Sequence, residues 1–99
     1  MSIGTGHGGF LFNDASIRAS APASSGVYAL YDNAGNYVYF GESNDIQRRL
    51  LEHLNEPGTC IKRQGAANFA FELSPTILRV QRQNSLIRMY PTLCNQRLG

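Results

Sequence analysis

The residues of this 99-residue chain best suited to chemistry fall on two short stretches. In the first, residues 44–54, Arg49 and His53 stand one helical turn apart, beside apolar residues at Ile46, Leu50 and Leu54. A guanidinium and an imidazole at the margin of a buried stripe suit a phosphate group. The guanidinium can grip its oxygens bidentately. The same placement also fits two side chains that merely cover the edge of a core. Arg48 lies on the outer face one turn before Glu52 and reads as half of a surface ion pair of small value.

In the second stretch, Gln83 is flanked by Val80, Leu86, Ile87 and Tyr90 at i−3, i+3, i+4 and i+7. An amide inside an apolar stripe costs stability unless it is hydrogen-bonded or faces a cavity. Two readings stay open here: a core glutamine satisfied by backbone, or a group reaching from a rigid helix into a site. Tyr28 and Tyr39 add two phenols that share one sheet face if their strands pair in register. Aromatic pairs of that kind are usually packing.

The elements that must hold these residues follow from periodicity and turn chemistry. Residues 27–31 and 37–41 are rich in Val, Tyr and Phe and flank Asp32-Asn33-Ala34-Gly35-Asn36, which predicts a hairpin. Residues 44–54 predict a helix capped by Ser43 or Asn44, ending before Pro57. Residues 68–73 alternate as Phe69, Phe71 and Leu73 and predict a third strand. Ser74-Pro75 opens a second helix, serine as cap and proline in the first turn, which runs to about Tyr90 and is closed by Pro91. The order is β-β-α-β-α: an α/β (α+β) fold with a small three-stranded sheet and helices packed on it. Residues 1–25, rich in Gly, Ser and Ala, read as a loosely structured arm that pins Phe10 and Phe12 to the core of a domain spanning 26–99.

Composition narrows the class. A hydrophobic fraction of 42% and a charged fraction of 16% describe a globular chain, not a disordered one. No apolar run reaches bilayer length, and the first residues lack the pattern of a signal peptide, so a cytoplasmic protein with no membrane role is expected. Cys60 and Cys94 have no metal-site or redox-motif spacing and are expected to be reduced thiols. Net charge is only +2, but eight of the nine basic residues lie from Arg48 onward against three acids. Eight of the nine are arginine, which suits a nucleic-acid ligand and equally a solvated helix face.

Gly26-Val27-Tyr28 and Tyr39-Phe40-Gly41 resemble the GIY and YIG elements of the GIY-YIG nuclease superfamily. Ten residues after Tyr39 stands Arg49, and His53 follows one turn later, as in the helix that holds that family's arginine. Gln83-Asn84-Ser85-Leu86-Ile87, then Tyr90-Pro91 and Asn95, resembles the family's second helix and its exit, with Gln83 at the position of a metal-binding glutamate. The resemblance spans 26–95 and implies a DNA endonuclease that hydrolyses phosphodiesters with one divalent metal. It implies that Arg49 stabilises the phosphate, that Tyr28 or Tyr39 takes a proton from water, and that His53 orients or relays. It further implies substrate contacts by Gly41, Ser43 and Asn95. Metal, Mg²⁺ or Mn²⁺, would be held by the residue at 83 and hence weakly or not at all by glutamine, leaving an inactive or weakened enzyme or a non-catalytic nucleic-acid-binding module. Because every other member of the set is present, Gln83 reads as an isosteric replacement in an intact site. On this reading Tyr28, Tyr39, Arg49, His53 and Gln83 are expected on one concave face of the sheet.

Overall fold

The computed structural model describes residues 7–95; Arg97 and the first six residues of the expected arm lie outside them. The strands are β1 (His7–Leu11), β2 (Gly26–Tyr31), β3 (Tyr37–Ser43) and β4 (Asn68–Leu73), and the helices α1 (Asp14–Ser20), α2 (Ile46–Asn55), α3 (Cys60–Arg63) and α4 (Thr76–Met89). The sheet has four strands rather than three, in the order β1-β4-β2-β3, and each neighbouring pair is antiparallel.

The additional strand comes from the segment expected to be a loose arm. Little in residues 7–11 favours a strand locally, but the open edge of β4 offers a row of backbone partners, and tertiary pairing overrides weak propensity. Phe10 secures it, with its ring 5.2 Å from that of Phe69 and 5.9 Å from that of Phe71. Asn13 then caps α1 by accepting the Ser16 N–H at 2.8 Å, and Ile17 from that helix is fully buried.

The hairpin forms as expected. Asp32 accepts the Ala34 and Asn36 N–H groups at 3.0 and 2.8 Å, and Gly35 takes the positive φ (86°) the turn requires. Tyr28 pairs with Gly41 and Leu30 with Tyr39, so the two tyrosines lie diagonally on one face. A bulge at Val38 shifts the register between Leu30 and Tyr31. It leaves Val38 and Tyr39 on that same face and sends Tyr37 to the other, where it packs with Phe40 and Tyr90.

Each face has its own core. Tyr28, Leu30, Phe69 and Phe71 pack with Ile46 and Leu50 of α2, Ile17 of α1 and Ile61 of α3. Val27, Ala29 and Phe40 pack with Leu86 of α4. Gly26 belongs at this junction because a Cβ there would run into the Glu72 carbonyl oxygen of the adjacent strand.

Both helix starts differ from expectation. The α2 cap is Asp45, which accepts the Arg48 N–H at 3.0 Å, because the Ser43 hydroxyl is engaged by Asp45's own backbone. Helix α4 begins at Thr76 with Pro75 at the cap and no side-chain cap bond, while the Ser74 N–H extends the sheet to Ser25 O. Two half-buried ion pairs fasten α4 to the sheet, Arg79–Glu42 at 2.6 Å and Arg82–Glu72 at 2.9 Å. The basic surplus in the second half of the chain is thus partly matched by sheet acids rather than gathered into one patch. Val80, expected in the apolar stripe around Gln83, is 46% exposed.

The cysteines also differ from expectation. Cys60 and Cys94 are joined in a disulfide across a separation of 34 residues. Spacing along the chain carries no trace of this, because the pair meets only when α3 and the segment after α4 pack together. Among the described residues, no helix is long and apolar enough to cross a membrane.

Candidate active site

The site is built on Gly41. Its Cα lies directly beneath the Tyr28 ring, and a Cβ there would enter the space of the phenol. Glycine therefore lets a ring lie flat on strand β3 at the point where the hairpin partners meet. Tyr28, 1% exposed, holds its hydroxyl 2.7 Å from His53 Nε2 in a buried hydrogen bond. Tyr39 closes the group, its ring centroid 6.2 Å from Tyr28 and 5.3 Å from His53. Arg49, one turn earlier on α2, brings its charge beside both phenols and pairs with Glu52 at 3.0 Å. Helix α2 presents Arg49 and His53 here because Ile46 and Leu50, on the adjoining stripe, are wholly buried.

Arg48 points outward, bonded to Asn44 at 3.0 Å and 3.6 Å from Glu52. The expected Arg48–Glu52 pair is therefore a long one, and Glu52 sits closer to Arg49.

The electrostatics of the group are those of a dry site beside one cation. Burial pushes the Tyr28 phenol well above its ordinary range; Tyr39 adds to the rise and Arg49 opposes it. Burial likewise raises Tyr39, with Arg49 again pulling down. Burial would weaken the Arg49 charge, but the two phenols and Glu52 more than offset that and raise its pKa. His53 is pushed down from 6.5 to about 4, first by burial and then by the Arg49 charge. It is therefore neutral at pH 7. Its Nδ1 is buried and has no hydrogen-bond partner among the described residues, whichever nitrogen carries the proton.

Gln83 does not join the other four on that face. Helix α4 lies against the opposite face of the sheet, where Arg79 meets Glu42 and Leu86 packs on Phe40. Gln83 lies one turn from each on the same helix, and its amide donates to Asn84 Oδ1 at a long 3.4 Å. The wheel pattern showed that Gln83 faces the protein. Which side of the sheet it faces depends on how the chain crosses after β4, and no helical period encodes that.

Of the remaining expected residues, Ser43 is 7% exposed and its hydroxyl is used within the turn into α2. Asn95 accepts the Phe40 N–H at 2.7 Å and donates to the Phe40 carbonyl at 3.0 Å, clamping the outer edge of β3 behind Tyr39. Two participants went unrecognised in the sequence: Asp45, which starts α2, and Arg79, which ties down Glu42. Asp45 carried a usable signal, an acidic cap three residues before the helix's first arginine.

A family model described as the GIY-YIG catalytic domain matches residues 24–85. The chain belongs to the GIY-YIG family. Among curated relatives, the UvrABC system protein C of Hydrogenobaculum sp. is 33% identical over 69 residues, 70% of this chain. That of Dictyoglomus thermophilum is 30% identical over 80 residues, 78% of this chain. The chain spans only 12% and 13% of the length of these two relatives. The GIY-YIG N-terminal endonuclease domain of UvrC from Thermotoga maritima, a point mutant bound to its catalytic divalent cation, has a TM-score of 0.69 at 23% identity. It covers 82% of this chain and 96% of that one. The magnesium-bound form gives 0.64 at 24%, covering 78% and 92%. At such identities these likenesses show the fold alone, and the four-stranded antiparallel sheet flanked by helices is that of a GIY-YIG domain.

Proposed function

We propose that this GIY-YIG chain is a DNA endonuclease site whose Gln83 leaves it weak or inactive as a cytoplasmic hydrolase. The observation that carries this reading is the buried Tyr28–His53 hydrogen bond with Tyr39 and Arg49 gathered over Gly41. A structural cluster of apolar residues has no use for a cation and an imidazole at this spot, each of which costs desolvation.

Division of labour follows from burial. Arg49 remains charged and partly exposed, so it meets a phosphodiester and stabilises the charge that builds during attack by water. Tyr39, half-buried and beside Arg49, is the phenol open to water and takes its proton. Tyr28 is a positioning residue, kept neutral by burial and held by neutral His53, and its ring fixes the β3 backbone beneath the reacting groups. Asn95 fixes the same backbone from the edge.

The residues present do not fit a firmly held Mg²⁺ or Mn²⁺. Such ions want carboxylate oxygens. Gln83 offers a neutral amide, and Glu42, the nearest acid to Gly41 in sequence, is engaged by Arg79 at 2.6 Å. Among the described residues no three His, Cys, Asp or Glu side chains are grouped to hold a metal. Both phenols therefore stay raised with only Arg49 to bring them down, which makes this form a poor base. Loss of one such charge-stabilising group costs on the order of 10²–10³-fold in rate.

The test is nicking of plasmid and single-stranded DNA by the protein and by Gln83→Glu, with and without Mg²⁺ or Mn²⁺. The glutamate form is expected to cleave at least about 10²-fold faster with metal, while both forms bind DNA alike. Fast metal-dependent cleavage by the glutamine form would move the ion to Glu42. The neutral Gln83 and the engaged Glu42 also favour a second reading, a non-catalytic nucleic-acid-binding module; unchanged cleavage in Gln83→Glu would select it.

A further inference from the structure

The free edge of β3 is not bare. Beyond Pro91 the chain turns back along it, with the Leu93 N–H donating to Tyr37 O at 3.2 Å and the Cys94 N–H to Val38 O at 2.8 Å. Asn95 then makes its two bonds to the Phe40 backbone. This segment has few anchors of its own: Leu93 is 44% exposed, and no helix or strand extends beyond α4 among the described residues. Its covalent anchor is Cys94, bonded to Cys60 in the first turn of α3. That turn is itself fixed, because the next residue, Ile61, is buried in the core. Neither cysteine is fully buried, so a small thiol can reach the bond.

We propose that the Cys60–Cys94 disulfide is a redox-sensitive clasp that holds the Asn95 clamp on β3 and thereby the backbone beneath Tyr39 and Gly41. Closed, the bond lowers the entropy the segment loses on docking, so Asn95 stays on Phe40. Opening it is ordinary thiol–disulfide exchange with a dithiol reductant. A thiolate attacks one cysteine sulfur, the other cysteine leaves as thiolate and takes a proton, and the reductant's second thiol then displaces the first cysteine. Two electrons pass to the disulfide, giving two protein thiols and one oxidised reductant. The segment is then kept by its hydrogen bonds and the packing of Cys94 on the core, without a covalent tie, and Phe40 loses its clamp part of the time. Oxidising and reducing compartments would therefore hold the two states differently. As regulation of cleavage, this inference rests on the nuclease reading above; as control of the β3 edge, it does not.

The test uses the whole chain with and without dithiothreitol, beside the Cys60→Ser/Cys94→Ser double variant. Three quantities are read: free thiols, amide hydrogen exchange, and nicking by the Gln83→Glu form. Reduction is expected to speed exchange of the Phe40 and Cys94 amides at least about tenfold while the Ala29 and Leu30 amides hold. Nicking should slow by about tenfold as the backbone under the reacting groups loosens. The double variant should behave as the reduced protein whatever the reductant. Two free thiols in the air-oxidised protein, or unchanged Phe40 exchange on reduction, would overturn the clasp. Faster exchange with unaltered nicking would overturn its regulatory role. Absence of nicking in both redox states tells against the nuclease reading alone, and the exchange result then decides the clasp.

Discussion

Lowering the pH should destabilise this fold through His53, and by a predictable amount. The imidazole is 4% exposed, carries an unpartnered Nδ1, faces the Arg49 charge, and has its pKa pushed down from 6.5 to about 4. Between those two values the unfolded chain binds a proton at this residue and the folded chain does not. Stability therefore rises with pH across that window and is lost as pH falls from 6.5 towards 4. Going from near pH 7.5 to near pH 5 should cost about 2 kcal/mol from this group, approaching about 3 kcal/mol below pH 4. Urea unfolding at several pH values measures it, with His53→Gln as the reference so that His7 and the carboxylates cancel. The variant loses the Tyr28 bond and starts less stable, but its pH dependence should be flatter by about 2 kcal/mol over the same range. An NMR titration of the imidazole gives the folded pKa directly. Parallel pH profiles for protein and variant, or an imidazole that titrates near 6.5, would refute the dry, cation-facing site.

Gly41→Ala should force the Tyr28 ring off β3 and lengthen its bond to His53, at about 1–3 kcal/mol. A thermal melt should then show a midpoint lower by about 5–15 °C, and an unchanged melt would mean the ring has room to move. In the Gln83→Glu form, Arg49→Ala should slow nicking by about 10²–10³-fold, whereas Arg48→Ala, of equal charge and pointing outward, should change it no more than about threefold. Equal losses from both would reduce Arg49 to background attraction for DNA.

Much of the site was legible because its residues are tied to local patterns. The hairpin turn, the shared face of Phe69 and Phe71 and the one-turn spacing of Arg49 and His53 survive in the structure, since each reflects backbone geometry within a few residues. Tyr28 and Tyr39 share a face because Tyr28 pairs with Gly41 and Leu30 with Tyr39. What sequence could not show depends on long-range choices. Strand β1 exists because β4 has an open edge for it, not because its own residues demand a strand. Cys60 and Cys94 meet through the packing of two segments with no pattern in common. Val80 and Leu86 both flank Gln83 on a helix wheel, yet Leu86 is wholly buried and Val80 is 46% exposed, because they stand about 120° apart around α4 and the sheet meets the side that carries Arg79, Arg82 and Leu86.

The position of Gln83 changes how the site must be understood. A pocket on one face of a sheet would need α4 on the same side as α2. Instead, three attachments converge on β3 between Tyr37 and Glu42. The Tyr28 ring presses on Gly41 from one face, Leu86 and Arg79 hold Phe40 and Glu42 from the other, and Asn95 and Cys94 close the edge. Only an edge strand permits this. A central strand spends both rows of its N–H and C=O groups on neighbouring strands, whereas β3 keeps one row free, which the segment after α4 covers. A residue at 83, on α4, therefore meets β3 from the face opposite Arg49. A larger residue at 41 would displace the Tyr28 ring and so disturb the strand that all three attachments hold. If so, Gly41→Ala should abolish the gain from Gln83→Glu even at temperatures where the variant is fully folded, and nicking well below its melting midpoint separates that effect from lost stability.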